Sequence, residues 1–140
     1  MGVEMAIAGA LIGLAGARQE KAAYEMEAKS YEEQGEMAAL QARQQEEERN
    51  TQLRKQLASL GTSMSAQGVA LGTSVSVANL ANEEVKMAKK DISSIKLMGM
   101  STRRKFDISA AGSKAAGKAT MTRAVGQSAM TIGSTMKPIA

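Results

Sequence analysis

The sequence predicts an all-α protein: an elongated hairpin of two long helices that assembles into an oligomeric helical ring or tube. Two long stretches place small or apolar residues at alternating steps of three and four, the spacing of one helix face, and neither shows the strict alternation of a half-buried strand. The second observation is a shortage of large side chains. Of 140 residues 44% are hydrophobic, yet Val, Ile, Leu and Phe together number 23, against 25 Ala, 13 Gly and 11 Met. So little bulk cannot fill a globular core, and helices that bury narrow seams need neighbouring copies or partner proteins to complete it.

Composition also bounds the chemistry. No Cys means no disulfide framework, thiolate metal site or Cys nucleophile, and no His removes the commonest general base and metal ligand. The expectation is a non-enzymatic protein with no cofactor and no metal. Residues 1–84 carry 12 acids and 7 bases, whereas residues 85–140 carry 2 acids and 11 bases. A basic second half suits nucleic acid, anionic lipid or the acidic half of another copy.

The first element, residues 1–17, contains 13 successive uncharged residues, 5–17. A lone bilayer span needs about 20 apolar residues, so this run is too short to cross by itself. It lacks the basic start of a secretory signal, and Ala6 stands where N-myristoylation would want Ser or Thr. Ile7, Leu11 and Leu14 are expected to meet lipid or a hydrophobic partner, while Gly9 and Gly13 are expected to face another helix.

Residues 18–60 read as one charged helix about 65 Å long, with no Pro and one Gly. Its seam runs Tyr24, Ala28, Tyr31, Gly35, Ala38, Ala42, and Leu53, Leu57 and Leu60 resume it. Between them residues 43–52 contain nothing apolar, so that portion is either solvated all round or docked on a polar neighbour. Residues 61–74 concentrate Gly, Ser and Thr and read as a connector: Gly61 ends the first helix, Gly68 and Gly72 supply turns, and Thr73, Ser74 or Ser76 caps the next helix. With no His to act as a base, these hydroxyls are assigned to capping rather than catalysis.

The second helix, residues 75–105, has the clearest period in the chain. Ala78, Ala81, Val85, Ala88, Ile92, Ile95 and Gly99 alternate steps of three and four, which puts Ala81, Val85, Ala88, Ile92 and Ile95 in a helix–helix seam. Met87, Met98 and Met100 lie beside it and suit adaptable contacts. Residues 106–140 read as a basic tail of small residues. Arg103, Arg104, Lys105, Lys114 and Lys118 are the candidates for contact with nucleic acid or another anion, without the aromatic residues that specific readers add. Residues 124–136 are again 13 without a charge.

The middle of the chain resembles the small internal virion protein of short-tailed bacteriophages. The matching elements are Gln56-Leu57-Ala58, Gly68-Val69, Gly72-Thr73-Ser74, the acidic pair Glu83-Glu84 and Asp91-Ile92, over about residues 53–108. Val75 stands where that family often carries Pro. The resemblance implies a protein packaged in the virion interior and ejected with the genome into the host cell envelope. There, with larger ejection proteins and the portal or tail proteins, it would help to form a DNA-translocation conduit, the small component serving at the outer membrane. Its expected partners are further copies of itself, those phage proteins, the host membrane and DNA without sequence preference. The competing expectation is a soluble coiled-coil adaptor or scaffold of a virion or other assembly that meets no membrane; a third is a basic protein that compacts nucleic acid.

Overall fold

The computed structural model describes residues 2–66 and 75–135. They form two helices, α1 (Gly2–Ala66) and α2 (Val75–Thr135), packed against each other as a hairpin, and no strand occurs among the described residues. Residues 67–74, which hold Gly68, Gly72, Thr73 and Ser74, and residues 136–140 lie outside the described residues.

Both helices run past their expected limits. α1 starts at Gly2 rather than 18 and continues through Gly61 to Ala66, so residues 61–66 of the expected connector are helical. α2 holds Ser76 within it, not before it, and continues from 105 to Thr135 through most of the expected tail. The Ser and Thr hydroxyls of these extensions are accommodated within the helix. Ser and Thr weaken helices when their side chains compete for the backbone, but here they bond the carbonyl one turn back within the helix. Thr62 donates to the Ala58 carbonyl at 2.9 Å, Ser109 to Lys105 at 3.0 Å, Thr122 to Lys118 at 3.0 Å and Ser128 to Ala124 at 2.7 Å. A mid-helix glycine such as Gly61 costs only about 1 kcal/mol relative to Ala, and half-buried Leu57 and Leu60 flank it.

The hairpin divides into two compact units, one of residues 1–34 with 105–140 and one of residues 35–104. In the first, α1 turns Leu14, Ala17, Lys21, Tyr24, Ala28 and Tyr31 inward, and α2 turns Phe106, Ala110, Ser113, Gly117, Thr120 and Ala124. Both sets keep steps of three and four, so the coiled-coil spacing of α1 starts well before Tyr24. Ala17, Ala28 and Ala110 are its most buried hydrophobic residues. A Cβ at Gly117 would lie 3.2 Å from that of Tyr24, so glycine lets the α2 backbone come in under the tyrosine.

In the second unit, α1 contributes Gly35, Ala38, Ala42, Glu46, Arg49, Leu53 and Leu57, and α2 contributes Val85, Ala88, Ile92, Ile95 and Gly99. Ala88 is 0% exposed, and a Cβ at Gly99 would come within 2.5 Å of the Ala42 Cβ, closer than two such atoms can sit. The stretch without apolar residues is docked on a polar neighbour: Arg49 sends Nε and Nη2 to Asp91 Oδ2, each at 2.9 Å, and Lys96 Nζ reaches Glu46 Oε1 at 3.1 Å. Among the described residues no large side chain is fully buried in either unit.

Candidate functional site

Two kinds of surface stand out, and helix periodicity places both. The uncharged runs of the two helices, residues 5–17 of α1, which follow Glu4, and residues 124–135 of α2, both belong to the first unit. The inward side of the α1 end carries Ala6, Ala10, Leu14 and Ala17, which sends the intervening residues outward. Met5 is 81% exposed, Leu11 63% and Ile12 73%; on α2, Met130 is 77% exposed. No Asp, Glu, Lys or Arg interrupts residues 5–17 or 124–135.

The expected contact residues divide across this end. Ile7 and Leu11 are exposed, whereas Leu14 is half-buried on the side that turns inward. Gly9 and Gly13 are exposed, and a Cβ at either would meet nothing within 4 Å. They do not face α2 of the same chain, because the inward stripe passes one residue away through Ala10 and Leu14, so the other helix they are expected to face would have to come from another copy or a partner. No helix among the described residues is long and apolar enough to cross a membrane.

The second kind of surface is basic, and each unit carries a groove lined by cations of both helices. In the first unit a groove of about 310 Å³ is lined by Lys21, Lys29, Lys114 and Lys118 with Glu25 and Glu32, over Gly117. Lys114 pairs with Glu32 across the helices and Lys21 with Glu25 along α1 at 3.6 Å, while Lys29 and Lys118 have no ion-pair partner among the described residues. In the second unit a groove of about 250 Å³ lies over Ala42 and Gly99 and is lined by Arg43, Lys96, Met100 and Arg103. Glu46 neutralises Lys96 there, and Arg43 and Arg103 are unpaired among the described residues.

The structure thus places three of the five expected basic residues in grooves, Lys114 and Lys118 in one and Arg103 in the other, while Arg104 and Lys105 line neither and are exposed. Sequence reasoning missed Lys96 on α2 and, on α1, the groove residues Arg43, Lys21 and Lys29. The latter three come from the helix counted as acidic, and only the register of the hairpin brings them beside α2. Two unpaired cations over a glycine floor suit an anion held by charge, without the base-edge or stacking contacts that read sequence. Of the expected seam residues, Ala88 is fully buried and Ala81, Val85, Ile92 and Ile95 are half-buried. Among the described residues no three acidic side chains gather as a metal site.

No family model, curated protein or solved structure matches the chain.

Proposed function

We propose that the chain is a non-enzymatic internal virion protein of a short-tailed bacteriophage, released with the genome and contributing to a DNA-translocation conduit in the host cell envelope. The observation that carries this reading is the pair of uncharged runs in the first unit, residues 5–17 and 124–135, each of which exposes large apolar side chains. Each uncharged run reaches about 20 Å as a helix, against a hydrocarbon core of about 30 Å. Membrane action then depends on several copies assembling or on local thinning of the bilayer. A seam of Ala and Gly supports the same reading, since a hairpin with so little buried bulk unfolds at low cost for passage through a tail. The basic grooves give exiting DNA sequence-independent contacts that weaken with salt.

The test is dye release from liposomes by the full-length protein, compared with Leu11→Glu and with deletion of residues 1–17. A charge in the apolar run costs on the order of 2.5–3.5 kcal/mol if it enters lipid, so both changes are expected to abolish release. Undiminished release by both would end the membrane role. The second reading, a soluble coiled-coil adaptor, is favoured by the ion pairs of the second unit and by the lack of a spanning helix among the described residues. Stable soluble oligomers inert toward lipid would establish it.

A further inference from the structure

The hairpin is built with its small side chains inside and many of its large ones outside. In the second unit the seam uses Gly35, Ala38, Ala42, Ala88 and Gly99, whereas Met37, Leu40, Met87, Leu97 and Met100 are between 52% and 63% exposed. These exposed residues are ordered. On α1, Met37 and Leu40 lie on the side opposite Gly35, Ala38 and Ala42, and the side continues through Gln44, Glu47 and Glu48, which line one shallow depression with Thr51 and Gln52 before Lys55 ends its acidic part. On α2, Lys90, Leu97 and Arg104 recur every seven residues opposite Ala88, Ile92 and Ile95. Each helix therefore carries a second stripe with leucine at its centre, acidic on α1 and basic on α2. Glu47, Glu48, Lys89 and Lys90 have no ion-pair partner among the described residues.

The two stripes match in sign and in spacing. Glu47 stands seven residues after Leu40, and Lys90 seven before Leu97. An antiparallel pairing that sets Leu40 on Leu97 sets Glu47 on Lys90, Glu48 on Lys89 and Met37 on Met100. We infer that the outer stripe of α1 in one copy is the docking surface for the outer stripe of α2 in a second copy of this chain. Such a contact joins unlike faces, so an open series of copies keeps one free α1 stripe at one end and one free α2 stripe at the other until it closes. Antiparallel pairing also keeps all copies pointing the same way, because α1 and α2 are already antiparallel within each. The inference rests on the self-associating part of the proposed function and on none of its membrane part.

Charge reversal tests it. One full-length variant carries Glu47→Lys and Glu48→Lys, another Lys89→Glu and Lys90→Glu, and self-association is read by sedimentation velocity at low salt. The wild type is expected to associate, and each variant alone to associate more weakly by on the order of tenfold or more, since like charges then face each other. An equimolar mixture of the two is expected to regain wild-type association, because unlike charges again meet at both kinds of junction. That rescue also shows that each variant is folded. A wild type that stays monomeric, or variants that associate as well as wild type, would overturn the contact. So would rescue of the α1 variant by Arg104→Glu with Lys105→Glu instead, which would mean parallel stripes. Copies that associate by these faces yet leave liposomes intact would sink the membrane reading and leave this contact standing.

Discussion

Residues 35–104 and the unit formed by 1–34 with 105–140 pair the same two helices, but they fix that pairing differently. The second unit ties α1 to α2 with Arg49–Asp91 and Glu46–Lys96 and has the closest approach, at Gly99 and Ala42. Among the described residues of the first unit Glu32–Lys114 is the one cross-helix ion pair, and residues 5–17 and 124–135 carry no charge. Register and orientation in one unit are thus specified by groups that tolerate a single arrangement, whereas the end of the other has only small apolar contacts, which many arrangements satisfy. A helix pair that must both hold together and present a surface to something else can divide the two tasks along its length in this way.

The largest expected effect comes from overfilling a seam. Ala88→Leu adds bulk where exposure is already 0% and should destabilise the second unit by about 1–3 kcal/mol, seen as a lower thermal midpoint of helical circular dichroism. Ala28→Leu, at 0% exposure in the first unit, should do the same. A much smaller loss at Ala28 than at Ala88 would show that the first unit yields more readily.

Glycine substitutions sharpen the contrast with a change of sign. Gly99→Ala sets a Cβ against the Ala42 Cβ at 2.5 Å, so the helices must move apart, and it should cost about 1 kcal/mol net of the helix propensity it gains. At Gly117 the neighbouring Tyr24 Cβ is 3.2 Å away, so the loss and the gain should nearly cancel. Gly112→Ala meets nothing within 4 Å and should raise stability by about 0.5–1 kcal/mol. Denaturant midpoints of the three variants in that order check the series; a stabilising Gly99→Ala would refute the close approach.

A double-mutant cycle of Arg49→Gln and Asp91→Asn should give a coupling of about 0.5–1 kcal/mol, modest because Asp91 is 52% exposed, and smaller at high salt. Smallest of all, Leu11→Glu should leave the thermal midpoint of the lipid-free protein within about 0.5 kcal/mol of wild type, since the side chain is already in solvent. A large loss there would mean that the apolar end is core rather than a presented surface.

The helices and their facing residues were legible because seam spacing is a property of the backbone. Tyr24 through Ala42 and Val85 through Gly99 could be placed by counting. The same count carried further would have continued from Ala42 through Glu46, Arg49 and Leu53, but charged residues conceal a seam from any reading that looks for apolar ones. Helix ends were less legible. Gly61 and the Ser- and Thr-rich residues after 105 resemble breaks, yet the helices pass through them, with the hydroxyls of Thr62, Ser109 and Thr122 satisfied on carbonyls one turn back. Spacing marks Gly9 and Gly13 as a close-approach face, but it does not say which helix they meet; the residues one step away, Ala10 and Leu14, are the ones that turn inward in the hairpin. The grooves were half visible: their α2 cations were marked by the basic second half, while Arg43, Lys21 and Lys29 needed the register.

The placement of the aromatic residues gives the protein an optical asymmetry. Tyr24, Tyr31 and Phe106 are its only aromatic side chains, and all three are half-buried in the first unit. Near-ultraviolet absorption and tyrosine emission therefore report on residues 1–34 and 105–140 alone, while residues 35–104 are spectroscopically dark. Far-ultraviolet signals, which count helix wherever it occurs, see both. The unlabelled chain thus carries its own pair of probes for whether its two regions come apart together or in sequence.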